Sequence, residues 1–461
     1  MTKRFCQRLF ATIPFFCACG PAEQTAPFIL LPAGEIDAAT RPAEPPPFWW
    51  GVSTASFQTE DRLLPSGEPS FRADWDLFGE LGQVREPDDR VGSYTNFERD
   101  LAALKYLGVT HYRFGVEWAR VEPEPGVFDQ SAIDHYVNVA RRLKEEGIEP
   151  LVCFWHFSFP QWIGDANNPD QHGWLHPYAA DAWGEYVKVM ARALAPYVEL
   201  FAPMNEPNAY AFGMNIGFFP GARRFNDAYY QKLDDKLIET FLQAAAIIRS
   251  VRADAKIISI QAITAWRRDS FDPFGALYNL GLDHNYSHLD AVISAVDYVG
   301  INYYQRAVAS PLFFLSILNT SGENVSDLGW VIDPEGLEVQ IVEFSRRYKK
   351  PIIITENGLA DRSDRKRPGY IYSHMLAVRK TLEADYDVRG YFHWTLTDSF
   401  EWLFGYDHQF GLFRLDTASN TLVPKASADY YRSLIAARFM DSDVDVASMA
   451  PDAKPATNDL P

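Results

Sequence analysis

From Phe48 onward the chain alternates between two hydrophobic patterns. Short apolar runs bounded by Gly, Pro, Asn or Asp are followed by longer stretches in which apolar residues return every third or fourth position. The first pattern reads as a strand buried on both faces, the second as a helix with one apolar stripe. Strands are predicted at 49–53, 111–117, 149–155, 200–205, 256–261, 298–303, 351–355 and 390–396. Helices are predicted at 95–107, 131–146, 179–195, 234–252, 338–349 and 370–383. Eight such repeats point to a single closed parallel (β/α)8 barrel, a TIM barrel of the α/β class, rather than an open sheet. No linker rich in Pro, Gly or Ser breaks residues 48–437, and α/β barrels absorb such lengths as one domain.

Reactive groups in these barrels gather where the strands end. Polar, chemically capable side chains fall there in this chain. Gln58 follows the first strand, Arg113 lies within the second, and His156 ends the third. Asn205 and Glu206 end the fourth, Asn302 and Tyr304 the sixth, Glu356 and Asn357 the seventh. Trp394, Glu401 and Trp402 belong to the end of the eighth. In L-F-A-P-M-N-E-P-N at 200–208 an apolar strand runs into Glu206, and Pro207 stops it. In P-I-I-I-T-E-N-G-L-A-D at 351–361 a second buried strand delivers Glu356 and turns on Asn-Gly. Either glutamate alone reads as a cap or half of a salt bridge. Two of them at strands 4 and 7 of one barrel supply the paired carboxyls that glycosidic cleavage needs, one to protonate the leaving oxygen and one to meet the anomeric carbon.

These motifs resemble glycoside hydrolase family 1, the β-glucosidase and β-galactosidase family. The marks are F-W-W-G-V-S-T-A-S-F-Q at 48–58, Y-R-F-G-V-E-W at 112–118, M-N-E-P-N at 204–208, V-G-I-N-Y-Y at 299–304, I-T-E-N-G at 354–358 and D-S-F-E-W at 398–402. Asn-Glu-Pro alone is shared with other barrel glycosidases; the six in order are specific. From Ile354 to Asp416 the chain looks most like archaeal β-glycosidases and the plant galactolipid-remodelling members. The resemblance implies a retaining, exo-acting hydrolase of terminal β-D-glucosyl, galactosyl or fucosyl residues. Glu206 would be its acid/base and Glu356 its nucleophile, with Arg113 and Tyr304 orienting the nucleophile. Gln58, His156, Asn205, Asn302, Glu401 and Trp402 would ring the −1 sugar, Trp394 would floor it, and Trp330 would face the aglycone. A carboxylate at Glu401 reading O4 and O6 would repel a 6-phosphate. A retaining mechanism would set the two catalytic carboxyls roughly 5–5.5 Å apart.

The chain also departs from the family pattern. Gly92-Ser93 stand where Asp-His usually precede the residue matching Tyr94, Ser158 where an aspartate usually follows the histidine by two, and Ser399 where an asparagine is usual. Glu206 and Glu356 are only 150 residues apart, which suggests trimmed loops between Asn205 and Tyr304 and between Ala307 and Trp330.

Net charge is −18, which excludes a nucleic-acid binder built on clustered Lys and Arg; the 15% of aromatic residues suits sugar stacking but suits a core equally. Lys3, Arg4 and Arg8 precede the apolar run Leu9–Ala18, the pattern of a signal peptide over 1–19, and 20–47 reads as a flexible leader. Ala18-Cys19-Gly20 resembles a lipoprotein site, so Cys19 is a candidate lipid tether on an exported (periplasmic, outer-membrane-tethered or secreted) enzyme. Cys153 is the only cysteine beyond residue 19, so the body has no disulfide framework, and 438–461 reads as a disordered acidic tail. His172, His176, Asp181 and Glu185 lack metal-ligand spacing, and no cofactor is expected; substrates would be small β-glycosides or oligosaccharides, and the oligomeric state is open. Two other readings share this sequence. A transglycosylase would pass the same intermediate to a sugar or lipid acceptor, and a non-catalytic sugar-binding module would have lost one of the glutamates.

Overall fold

A computed structural model describes residues 47–451, except 64–68, 83–89, 166, 220, 222–224, 269–271, 273 and 310–323. Eight parallel strands close into a barrel in chain order: β1 Trp49–Ser53, β2 His111–Gly115, β3 Glu149–Cys153, β4 Leu200–Ala202, β5 Lys256–Arg268, β6 Tyr298–Ala309, β7 Ile352–Asn357 and β8 Val388–Trp394. Closure is by β1 on β8, from Trp49 opposite Gly390 to Ser53 opposite Trp394. The barrel is packed, not hollow. Leu151, Cys153, Leu200, Ala202, Ile258, Ile260, Ile353 and Phe392 fill its interior, with Trp49 and Tyr298 against them. Gly51 is part of that fit, since a Cβ there would stand 2.3 Å from the Phe392 ring.

A second apolar layer lies between the strands and the surrounding helices. The helix Gln130–Glu145 shows how the sequence builds it: Ala132, Ile133, Tyr136, Val139, Ala140 and Leu143 are buried at helical spacing, and Asp129 caps it by accepting from the amides of Ser131 and Ala132. Among the described residues no helix is long and apolar enough to cross a membrane. The signal peptide and leader predicted at the N-terminus lie outside the described residues but for Pro47, and so does most of the loop after Ala307.

Two expectations are corrected. β5 and β6 do not stop near residues 261 and 303 but run on, paired, to Arg268 and Ala309. The residues after 437 do not all form a loose tail. Phe439 is fully buried, Arg379 donates to the carbonyls of Phe439 and Ser442, and Tyr430 donates to that of Met449. A C-terminal strap thus closes over the helices Arg367–Glu383 and Ala426–Ala436, and only 452–461 fall outside the described residues.

Candidate active site

The strand ends bring ten of the twelve predicted residues into one connected cluster of hydrogen bonds and ring contacts, and the other two, Gln58 and Glu401, pair beside it and join it through Phe400. Arg113, fully buried on β2, is its hub. Nη1 donates to Glu356 Oε1 at 2.5 Å and Nη2 to Asn205 Oδ1 at 2.6 Å. Tyr304 Oη donates to the other Glu356 oxygen at 2.6 Å. Asn302 Nδ2 donates to Glu206 Oε1 at 2.7 Å and to Asn205 Oδ1 at 3.2 Å, so one amide ties the two glutamates' neighbourhoods together. Thr355, which the sequence reading passed over, fixes that amide's orientation by donating to Asn302 Oδ1 at 2.7 Å. No sequence signal marked it: strand alternation would turn Thr355 away from Glu356, and it reaches Asn302 because the register of β6 and β7 shifts between Ile301 and Asn302, where Asn302 pairs with Glu356.

Local backbone explains how each glutamate arrives. β4 ends at Ala202, but Asn205 continues alongside β5 and its amide donates to Trp155 O. Glu206 then takes a left-handed conformation, φ 40°, and Pro207 opens the helix Pro207–Ile216 at its first position, where a missing amide costs nothing. Pro207 therefore starts a helix, and the strand it was expected to stop has already ended at Ala202. Trp402 and Phe157 also have positive φ, 47° and 65°. Such strain in bulky residues gathers where a site must be held in one shape. Glu356 leaves β7 beside Asn357, whose amide bonds Tyr303 O and the Tyr370 hydroxyl while its oxygen takes the Tyr391 hydroxyl. At Gly358 a Cβ would sit 2.0 Å from Trp394 O, so only glycine lets the ends of β7 and β8 approach.

The remaining predicted residues line the pocket. His156 stacks on Trp394 and Trp402, ring centroids 5.8 and 6.0 Å away. Asn205 Oδ1 is committed to two donors, so its Nδ2 donates to His156 Nε2 at 3.1 Å, which puts the imidazole proton on Nδ1. Burial and the nearby Arg113 charge hold this histidine well below its ordinary pKa, hence neutral. Gln58 Nε2 donates to Phe400 O at 2.6 Å and faces Glu401 Oε2 at 3.4 Å. The donor at His156 Nδ1 and the acceptor at Gln58 Oε1 are both buried without a protein partner, which is a standing offer to a hydroxyl group. Trp330 packs by Tyr304 and Phe410 at 5.4 and 6.2 Å, brought there by the pairing of Val331 with Arg306 on the extended β6.

Three carboxyls, Glu206, Glu356 and Glu401, share this pocket with one guanidinium, and Glu356 holds it. Burial first and the Glu356 charge second push Glu206 well above the ordinary carboxylate range. The same two causes, with Glu206 third, push Glu401 up to about 8. The site thus sets a guanidinium-held and phenol-held carboxyl, Glu356, beside a carboxyl that keeps its proton, Glu206; among the described residues no group of side chains could hold a metal ion.

A closed barrel with such a pair across its mouth defines a sugar-cleaving barrel enzyme. Comparison with known proteins makes the class specific: the chain belongs to glycosyl hydrolase family 1, whose pattern matches residues 42–268 and 283–440. It is 30% identical to a bifunctional β-D-glucosidase/β-D-fucosidase of Bifidobacterium breve over 85% of this chain and 98% of that one. It is 25% identical to a β-galactosidase of Sulfolobus acidocaldarius over 89% and 99%. The crystal structure of a hyperthermophilic β-glucosidase from Pyrococcus furiosus superposes with TM-score 0.77 at 26% identity, covering 88% of this chain and 98% of that one. The chain is a glycoside hydrolase acting on β-glycosides.

Proposed function

We propose that this enzyme removes terminal β-D-glucosyl, galactosyl or fucosyl residues with retention, through a covalent glycosyl-enzyme. The observation that carries the reading is the unequal treatment of the two carboxyls. Glu356 takes a guanidinium and a phenol, both of which stabilise negative charge, so it is the nucleophile. Glu206 is half-buried, takes one amide donor and holds its proton, so it is the acid that protonates the departing oxygen. Formation of the glycosyl-enzyme consumes the Glu356 charge. One of the two causes that keep Glu206 protonated then vanishes, and it can take a proton from the water that attacks next. Asn205, locked by Arg113 and Asn302, faces the 2-hydroxyl; Gln58, His156, Glu401 and Trp402 take the far hydroxyls; Trp394 stacks on the ring. Trp330 contacts the aglycone.

Glu356→Ala should abolish turnover, with azide restoring it as the inverted glycosyl azide. Glu206→Ala should slow poor leaving groups far more than activated aryl glycosides. Equal losses on both substrate types would refute the acid assignment. We also propose that Lys3, Arg4, Arg8 and the run Leu9–Ala18 export the chain, with Cys19 as a lipid tether. The mass of the mature N-terminus decides this, and an uncleaved chain in the cytoplasm would overturn it.

A further inference from the structure

Glu117 is a buried carboxyl that the proposed reaction leaves unused. It lies two residues beyond β2 and is 1% exposed. Ser56 Oγ donates to its Oε2 at 3.2 Å, and Ser158 Oγ donates to its two oxygens at 3.1 and 3.0 Å. Ser56 opens the short helix Ser56–Thr59 that carries Gln58, and Ser158 stands two residues after His156. A single carboxyl therefore ties together the two segments that present the unpaired Gln58 oxygen and His156 N–H to the pocket.

The second of these segments needs tying. Phe157, between His156 and Ser158, has φ 65°, a conformation a bulky side chain keeps only where its surroundings enforce it. Trp75 Nε1 holds the Phe157 carbonyl at 2.8 Å and Asp74 Oδ1 takes the Phe159 amide at 2.9 Å, both from the helix Asp74–Glu80. Glu117 supplies a further hold, from the barrel side. Its own backbone is fixed in turn, because its amide donates to Tyr136 Oη, which donates to Glu60, the partner of Arg120.

We propose that Glu117 is a positioning residue for the sugar pocket, acting through Ser56 and Ser158 on Gln58 and His156, and that its carboxyl compensates for the absence of the family's usual aspartate at position 158. An aspartate there would push its carboxyl against that of Glu117, and two carboxyls in contact cannot both ionise. The inference rests on the proposed reading that Gln58 and His156 hold the sugar.

The test is a charge swap, followed by kcat, KM and melting temperature on an aryl β-glucoside. Ser158→Asp should lower kcat/KM about tenfold or more through the like-charge contact, and adding Glu117→Ser should restore it to within about threefold of wild type. Ser56→Ala and Ser158→Ala should each raise KM about five- to tenfold, with a smaller change in kcat and little change in melting temperature. A double variant no better than Ser158→Asp alone would overturn the proposal. If Ser158→Asp does not fold, the two alanine variants decide, and unchanged KM in both overturns it. Turnover of the wild type and its loss in Glu206→Ala are read in the same assay, so failure of the proposed reaction shows separately.

Discussion

Replacing Glu356 with glutamine keeps the shape of the site and removes one negative charge. The Glu356 charge is the second cause, after burial, of the raised Glu206 pKa. With carboxyls roughly 5.5 Å apart and an effective dielectric of about 20, the charge–charge energy is about 3 kcal/mol, or about two pH units in the titration midpoint. Arg113, left without its carboxylate, pulls in the same direction, because its charge already lowers the Glu206 value. Glu206 in Glu356→Gln should therefore titrate about two pH units lower than in the wild type, yet stay above an exposed glutamate because burial remains. Carbon-13 labelling of glutamate side chains and an NMR titration of both proteins would measure it without needing activity. A midpoint unchanged or raised in the variant would refute the claim that the two carboxyls feel each other across the pocket, and with it the switch from acid to base after glycosylation.

Two further outcomes follow from the geometry. Gly358→Ala would place a Cβ 2.0 Å from Trp394 O, so it should displace Glu356 and Trp394 together and lower kcat about 100-fold; steady-state kinetics showing near-normal kcat would contradict this. Glu401 and Glu117 titrate in the fold at about 8 and about 7 against an ordinary 4.5, so each binds its proton more tightly folded than unfolded. The stability this gives is complete below pH 4.5 and is lost as pH rises through 7 and 8, so the melting temperature should fall across that range and Glu401→Gln should flatten the fall. Calorimetry showing a melting temperature that rises from pH 5 to pH 8 would contradict it.

The barrel was legible because its strands are buried on both faces. β1 was placed to the residue, and each other strand began within about two residues of its predicted start. The helix Ala276–Val292 escaped because its inner face is only partly apolar: it buries Gly281, Asn285 and His288 along with Leu289 and Val292, while Leu280 is exposed. Overrunning strands escaped because β5 leaves the core as it rises, alternating buried Ile263 and Ala265 with half-exposed Thr264 and Trp266. In the site, the pair of glutamates was readable because strands deliver them; Thr355 and Glu117 were not, because only folding shows whose polar atoms they satisfy. The strap after residue 437 looked loose because Asp441, Asp443 and Asp445 outweigh the apolar Phe439 and Met440 that pin it.

The extra height of β5 and β6 gives the mouth of the barrel a raised back wall on one side. Glu356 stands on β7 where β6 still pairs with it, and Glu206 just past the end of β4, while Trp330 hangs from the part of β6 that has outgrown that level. With the roles proposed for Trp330 and the two glutamates, recognition of what leaves and cleavage of the bond that holds it would sit on separately adjustable storeys. Lengthening, trimming or repainting the parapet would let descendants of this chain change their diet while the machinery beneath stays as it is.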